Sequence, residues 1–360
     1  MMIRSMMIMM MTVVAAALLA SVSLAGQDRP AATREAAKTK AWTVPRTPDG
    51  HPDLQGFWSN ATFTPLERPA GVTKEFYSQE EAAELEKREA ARLGGQNEAP
   101  ATPGEWLAAG PGAVPRPGTA ADVHYDFSQF GLDKSQTAIR RTLRTSLILD
   151  PPDGRIPALS PEGRQRAIAR AKERESLGGR WDSAQSNELD DRCIIMGAGP
   201  PMLPQAYNSN YQIVQGPDHV MILVEMLHDA RIIPLDRRPP LSKNIRQWMG
   251  SSRGRWEGDT LVVESTHFTD KTAFRGSGEN LRVVERFTRV AEDTIIYRFT
   301  VDDPTTWVRP WTGELAIAKT VGPMFEFACH EGNYGLLNSL RGARAEEKRA
   351  AEEAAKKPRN

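Results

Sequence analysis

Residues 281–301 read LRVVERFTRVAEDTIIYRFTV, two runs of β-branched and aromatic residues around Ala291-Glu292-Asp293. Runs of this kind on either side of polar turn residues are two antiparallel strands joined by a tight connection. Strand side chains alternate between faces. Val283, Glu285 and Phe287 therefore share one face, and Val284 and Arg286 the other. Glu285 is the first candidate for a carboxylate that points inward.

The same pattern recurs on both sides. YQIVQ, HVMILVEML, ARIIPL, TLVVEST, GELAIA and MFEFAC are further strand candidates. Gly216-Pro217-Asp218, Arg237 to Pro240, Gly258-Asp259 and Gly322-Pro323 break them. Upstream, LRTSLILDPPDGRIP reads as a strand, a turn at Pro152-Asp153-Gly154 and a strand start. About eight antiparallel strands imply a mainly β fold, a meander closing as a barrel or curved sandwich. MGSSRG, residues 249–254, reads as a loop between strands. No βαβ rhythm and no glycine-rich phosphate loop occurs, which argues against a nucleotide-binding α/β fold.

The N-terminal half supplies helices and wrapping segments. Ser78 precedes a run that opens on Glu80 and Glu81 and stops at Gly94-Gly95. Ser160, Pro161 and Glu162 start a second surface helix. DGHPDLQGFW pairs turn residues with an aromatic anchor, and residues 99–120 form a Pro/Gly/Ala-rich connector. The expected layout is a signal segment at 1–25, a flexible stretch at 26–50 and a helical, Pro-rich wrapping region at 51–140. A β-rich domain follows at 141–340, then a charged tail at 341–360.

Arg4 followed by an uncharged apolar run to Ala25, with Ser23-Leu24-Ala25 as a small-x-small site, reads as a secretory signal. An uncleaved anchor is the rival, because the run approaches spanning length. No cysteine lies at the cleavage site, so the pattern is not that of a lipoprotein, and no later stretch is apolar enough to span a membrane. The expectation is a periplasmic or secreted protein. Lys+Arg 46 against Asp+Glu 46 gives no electrostatic pull toward nucleic acid or an anionic membrane. The two cysteines, Cys193 and Cys329, have no CxxC spacing. Export favours a disulfide worth about 4–5 kcal/mol on the chain-entropy model. A cysteine nucleophile beside His330, or a pair of thiolate metal ligands, are the alternatives.

GRWEGDTLVVESTHFTDKT, VERFTRV, FTVDDPTTWVRPW and ACHEGNYGL, together with PDLQGFW, DRC and HDARIIPLDRRP, resemble a large family of exported bacterial proteins. The likeness covers nearly the whole mature chain. Its members often carry GRPH where this chain has Arg237 to Pro240, and Asn where His267 stands. The resemblance brings no activity with it and transfers no catalytic residue.

Chemistry is therefore sought residue by residue. In HVMILVEML, read as one strand, Glu225 lies with Met221 and Leu223, and His228 on the opposite face with Val220 and Ile222. Buried carboxylates need partners, and an ion pair of Glu225 or Glu285 with Arg231, Arg255 or Arg286 is the bland outcome. The six histidines, His51, His124, His219, His228, His267 and His330, form no HxH or HxxxH pair, so no metal or other cofactor is expected. No GxSxG is present. His267, Asp270 and Lys271 fall on a loop at a strand end, which is either functional or a capped turn.

Three functions remain open. The first is a small-molecule binding protein with a cavity between the barrel strands. Trp256, Trp307, Trp311, Arg231, Glu285 and Tyr334 would meet an aromatic or apolar ligand there. The second is an exported hydrolase or lyase using His330, Glu331, His228 and Glu225 as acid-base groups, with Arg231 stabilising charge. The third is a structural envelope protein with a solid core.

Overall fold

The structure is a computed structural model that describes residues 42–94, 142–196, 199–205, 208–236, 239, 241, 242, 244–271 and 274–356. The signal segment, the connector at 99–120 and His124 lie outside the described residues. Among the described residues ten strands follow in chain order: β1 (Gly56–Ser59), β2 (Ile148–Asp150), β3 (Asn210–Gln215), β4 (His219–Val224), β5 (Ala230–Pro234), β6 (Ser251–Glu257), β7 (Thr260–Thr266), β8 (Arg282–Ala291), β9 (Thr294–Asp302) and β10 (Trp311–Lys319). They form one antiparallel sheet in the order β5-β4-β3-β1-β10-β9-β8-β7-β6, with β2 added on β10. Sequence neighbours pair as hairpins. In the hairpin that decided the fold, Val283 faces Val301 and Phe287 faces Tyr297.

β1 joins the two meanders, pairing with β3 on one side and β10 on the other. This makes PDLQGFW a strand entry within the region expected to wrap the body. The two end strands, β5 and β6, are consecutive in the chain and close on each other. No ladder joins them among the described residues; side chains do. Gly254 on β6 has no room for a Cβ, which would lie 2.7 Å from Leu235 Cδ2 and 2.9 Å from Ile233 Cγ2. The result is a nearly closed barrel with one seam.

The barrel interior is filled. Trp58, Trp311, Tyr211, Tyr297, Phe287 and Phe299 are all fully buried, each contributing up to about 3 kcal/mol by leaving water. Phe299 lies over Gly313 of β10, its register partner, and meets Trp311 edge-on at 5.8 Å. Large aromatic side chains thus occupy the middle of the barrel, where a central cavity was expected.

The helices sit outside. α1 (Gln79–Gly94) starts with a capping box, Ser78 N donating to Glu81 Oε2 at 2.8 Å and Glu81 N to Ser78 Oγ at 3.2 Å. α2 (Pro161–Ser176) is capped by Ser160, which accepts from Gly163 N at 2.9 Å. The turn leading to β10 is built on Asp303. Its Oδ1 accepts from Thr305 N at 3.0 Å and Thr305 Oγ1 at 2.6 Å, and its Oδ2 from Thr306 Oγ1 at 2.6 Å and Gly278 N at 3.0 Å.

MFEFAC is not a strand. After β10 the chain runs as an extended strap into α3 (Cys329–Gly332) and α4 (Tyr334–Lys356). Cys193 and Cys329 form a disulfide with Cα atoms 5.8 Å apart, closing 136 residues. Cys329 is thus no nucleophile. No helix among the described residues is long and apolar enough to cross a membrane.

Candidate functional site at the barrel seam

Alternation on β8 and β5 builds the floor. Glu285 is wholly buried between Val283 and Phe287, and Arg231 and Ile233 are the inward residues of β5. Arg231 spans the seam and grips Glu285 with both terminal nitrogens, Nη1 donating to Oε1 at 3.1 Å and Nη2 to Oε2. Nη2 also reaches Ser252 Oγ at 3.2 Å on β6 and Ser265 Oγ at 3.4 Å on β7. Tyr297 Oη donates to Glu285 Oε1 at 2.8 Å and accepts from Met202 N at 2.8 Å.

Burial works against the Arg231 charge, but the carboxylate beside it prevails and holds the guanidinium protonated above its usual range. Burial first, and then the Glu285 charge, push the Tyr297 phenol well up. Burial does the same to Tyr211, whose Oη accepts from Asn60 Nδ2 at 3.1 Å. The phenols stay neutral and the guanidinium stays charged at neutral pH. This group of side chains locks β5 across the seam to β8, the bland outcome expected for Arg231 and Glu285, and supplies no mobile proton.

Above the lock, the seam opens. Next to Gly254 the two edges touch, but toward Asp229 and Ser251 they part around a cavity of about 510 Å³. Asp229, Arg231 and Ile232 line one side, Trp248 and Ser252 the other, with Leu241 at the margin. Trp248 and Ile232 are exposed. Asp229 Oδ2 is buried without a hydrogen-bond partner. Burial raises the Asp229 carboxyl pKa, and the His228 charge offsets that only in part.

A second cavity of about 640 Å³ lies beside the disulfide, lined by Trp181, Asp190, Asp191, Phe327, Cys329 and Leu336. Its walls are a loop, the strap and α4, a helix with no buried residue, and Asp191 is paired with Arg180 at 3.0 Å. Rigid strands position a ligand better than such walls do, which favours the smaller seam cavity.

The expected acid-base residues line neither of these two cavities. β4 stops at Val224, and Glu225 opens a 3-10 turn in which Leu227 and His228 have φ of 57° and 46°. Glu225 is buried, accepting from Asn210 Nδ2 at 2.6 Å and Phe325 N at 3.4 Å. His228 is exposed, with Nδ1 3.2 Å from Phe327 O. Both side chains tie the strap to the barrel. His330 and Glu331 are exposed on α3 and line neither cavity.

The expected ligand aromatics scatter as well. Trp307 and Trp311 belong to the packed core, with rings 5.9 Å apart. Trp256 stacks on His51 at 4.8 Å, and Tyr334 is exposed. His267 bonds its neighbour Thr266 Oγ1 at 2.8 Å, His219 pairs with Asp218 at 2.6 Å, and the Asp270 carbonyl accepts from Arg170 Nη2 at 2.6 Å. Among the described residues no three His, Cys, Asp or Glu side chains are grouped to hold a metal.

Of the expected site residues, Arg231 lines the seam cavity and Glu285 lies beneath it. Sequence reading missed Asp229, Trp248 and Ser252. Their one signal was MGSSRG next to a tryptophan, which reads as a loop and is instead the entry to β6. The chain is thus a mainly β protein built on a nearly closed antiparallel barrel with a cavity at its seam. Compared with family models, with curated proteins and with solved structures, it has no match.

Proposed function

We propose that this is an exported protein that binds a small organic molecule, aromatic or apolar in its body, in the seam cavity. The observation that carries the reading is a cavity of about 510 Å³ between two barrel strands, closed below by a locked ion pair and flanked by Trp248, Ile232 and Leu241. Apolar walls with a few fixed polar groups are what small-ligand sites have in common. Export is supported by the apolar run ending at Ala25 and by the disulfide, which persists in oxidising compartments. The motif resemblance to exported bacterial proteins points the same way. A hydrolase or lyase using His330, Glu331, His228 and Glu225 has less support, because those four side chains share no cavity among the described residues.

The test is a fluorescence and thermal-shift screen of aromatic and aliphatic fragments on the wild-type protein and on Ser251→Trp, which fills the cavity. Hits are expected to bind the wild type and to lose about ten-fold or more in affinity on the filled variant. Undiminished binding to a folded Ser251→Trp would remove the seam from consideration.

A further inference from the structure

The charges around the seam cavity are unequally matched. Arg231 is engaged by Glu285, Ser252 and Ser265. Arg253, at the margin, donates to Pro239 O. Asp229 is different. It lines the cavity and has no ion-pair partner among the described residues; its Oδ2, like Arg231 Nε, is buried with no hydrogen bond. The nearest basic side chain in sequence, His228, turns toward Phe327 O. An acceptor held out of water without a donor is costly, the more so when it carries charge. A ligand in the cavity that brings a positive charge gives the Asp229 carboxylate the counter-charge it lacks, and charge-assisted hydrogen bonds are about twice as strong as neutral ones.

We propose that the ligand is a small organic amine. Its ammonium group donates to Asp229 at the β5 end of the cavity, and its apolar body lies against Trp248, Ile232 and Leu241. The inference rests on the small-molecule reading above and narrows it to one chemical class. An anionic ligand fits less well, because the guanidinium on the floor is already neutralised and the carboxylate would repel it. An extended peptide added to the β5 edge fits less well too, because Leu235 and Ile233 packed on Gly254 close the seam to a further strand.

Three probes that share a phenyl ring on a two-carbon chain separate the possibilities: phenethylamine, 2-phenylethanol and 3-phenylpropanoate, titrated by calorimetry into the full mature protein at neutral pH. The amine is expected to bind about ten-fold tighter than the alcohol, and the carboxylate weakest. Asp229→Asn keeps shape and fold while removing the charge, and is expected to bring the amine down to the level of the alcohol. If all three bind alike, or if Asp229→Asn keeps the amine preference, the amine inference is overturned and the binding site stands. If none binds, while fragments of other chemistry are also silent, the small-molecule reading itself fails.

Discussion

Among the described residues, Arg231 and Glu285 form the most deeply buried ion pair. Both are buried, and each makes the other tolerable. Breaking such a pair leaves one uncompensated charge in the interior, which costs about 3–5 kcal/mol, whereas replacing both partners by apolar residues is often neutral. Arg231→Met is therefore expected to lower the unfolding free energy obtained from urea denaturation by that amount, and Arg231→Met combined with Glu285→Leu to regain most of it. A single variant as stable as wild type in urea denaturation would mean that the ion pair does not hold the seam. Glu225 shows how a similar carboxylate is kept differently, by the Asn210 amide and the Phe325 N–H rather than by a cation.

At the scale of the element, the turn before β10 depends on Asp303. Burial pushes its carboxyl up, but hydrogen bonds from Thr305, Thr306 and the Gly278 amide outweigh that and hold it below the usual carboxylate value. A carboxyl depressed in the folded state adds stability above its unfolded pKa, and that stability is lost as pH falls through the folded value. Asp303→Asn is accordingly expected to cost about 1–3 kcal/mol at neutral pH, with the gap to wild type narrowing in acid. A gap that widens in acid would contradict this account. β7, β8, β9 and β10 were legible because one face of each is buried and alternation marks it. β6 was not. SSRGRWE is partly exposed on both faces beside the seam, so no alternation develops. β1 is only four residues, paired with partners more than a hundred positions away in the chain. MFEFAC alternates without a strand to pair with, so it lies as a strap, and HVMILVEML stops as a strand once Glu225 turns to meet that strap.

For the whole molecule, closure of the barrel follows from the meander, but the position of the seam does not. It arises because β5 and β6 end the sheet order while standing next to each other in the chain. The cavity draws on four separated pieces of sequence, around Ile195, Asp229, Leu241 and Trp248, and none of them carries a known catalytic or ligand-binding motif. This is why the site was hard to find from residues alone, while the disulfide could be read directly. The seam is also where the barrel is least tied by backbone pairing, and the floor beneath it is the most tightly tied by side chains. A ligand held there rests on a rigid base beneath two edges that no backbone ladder joins. The most direct test is to titrate the 15N-labelled mature protein with phenethylamine and follow the backbone amides by NMR. Shifts are predicted to concentrate at residues 229–232 and 247–253. Shifts confined to the disulfide cleft at residues 190–193 and 327–336, or no shifts at all, would contradict the assignment of the seam as the binding site.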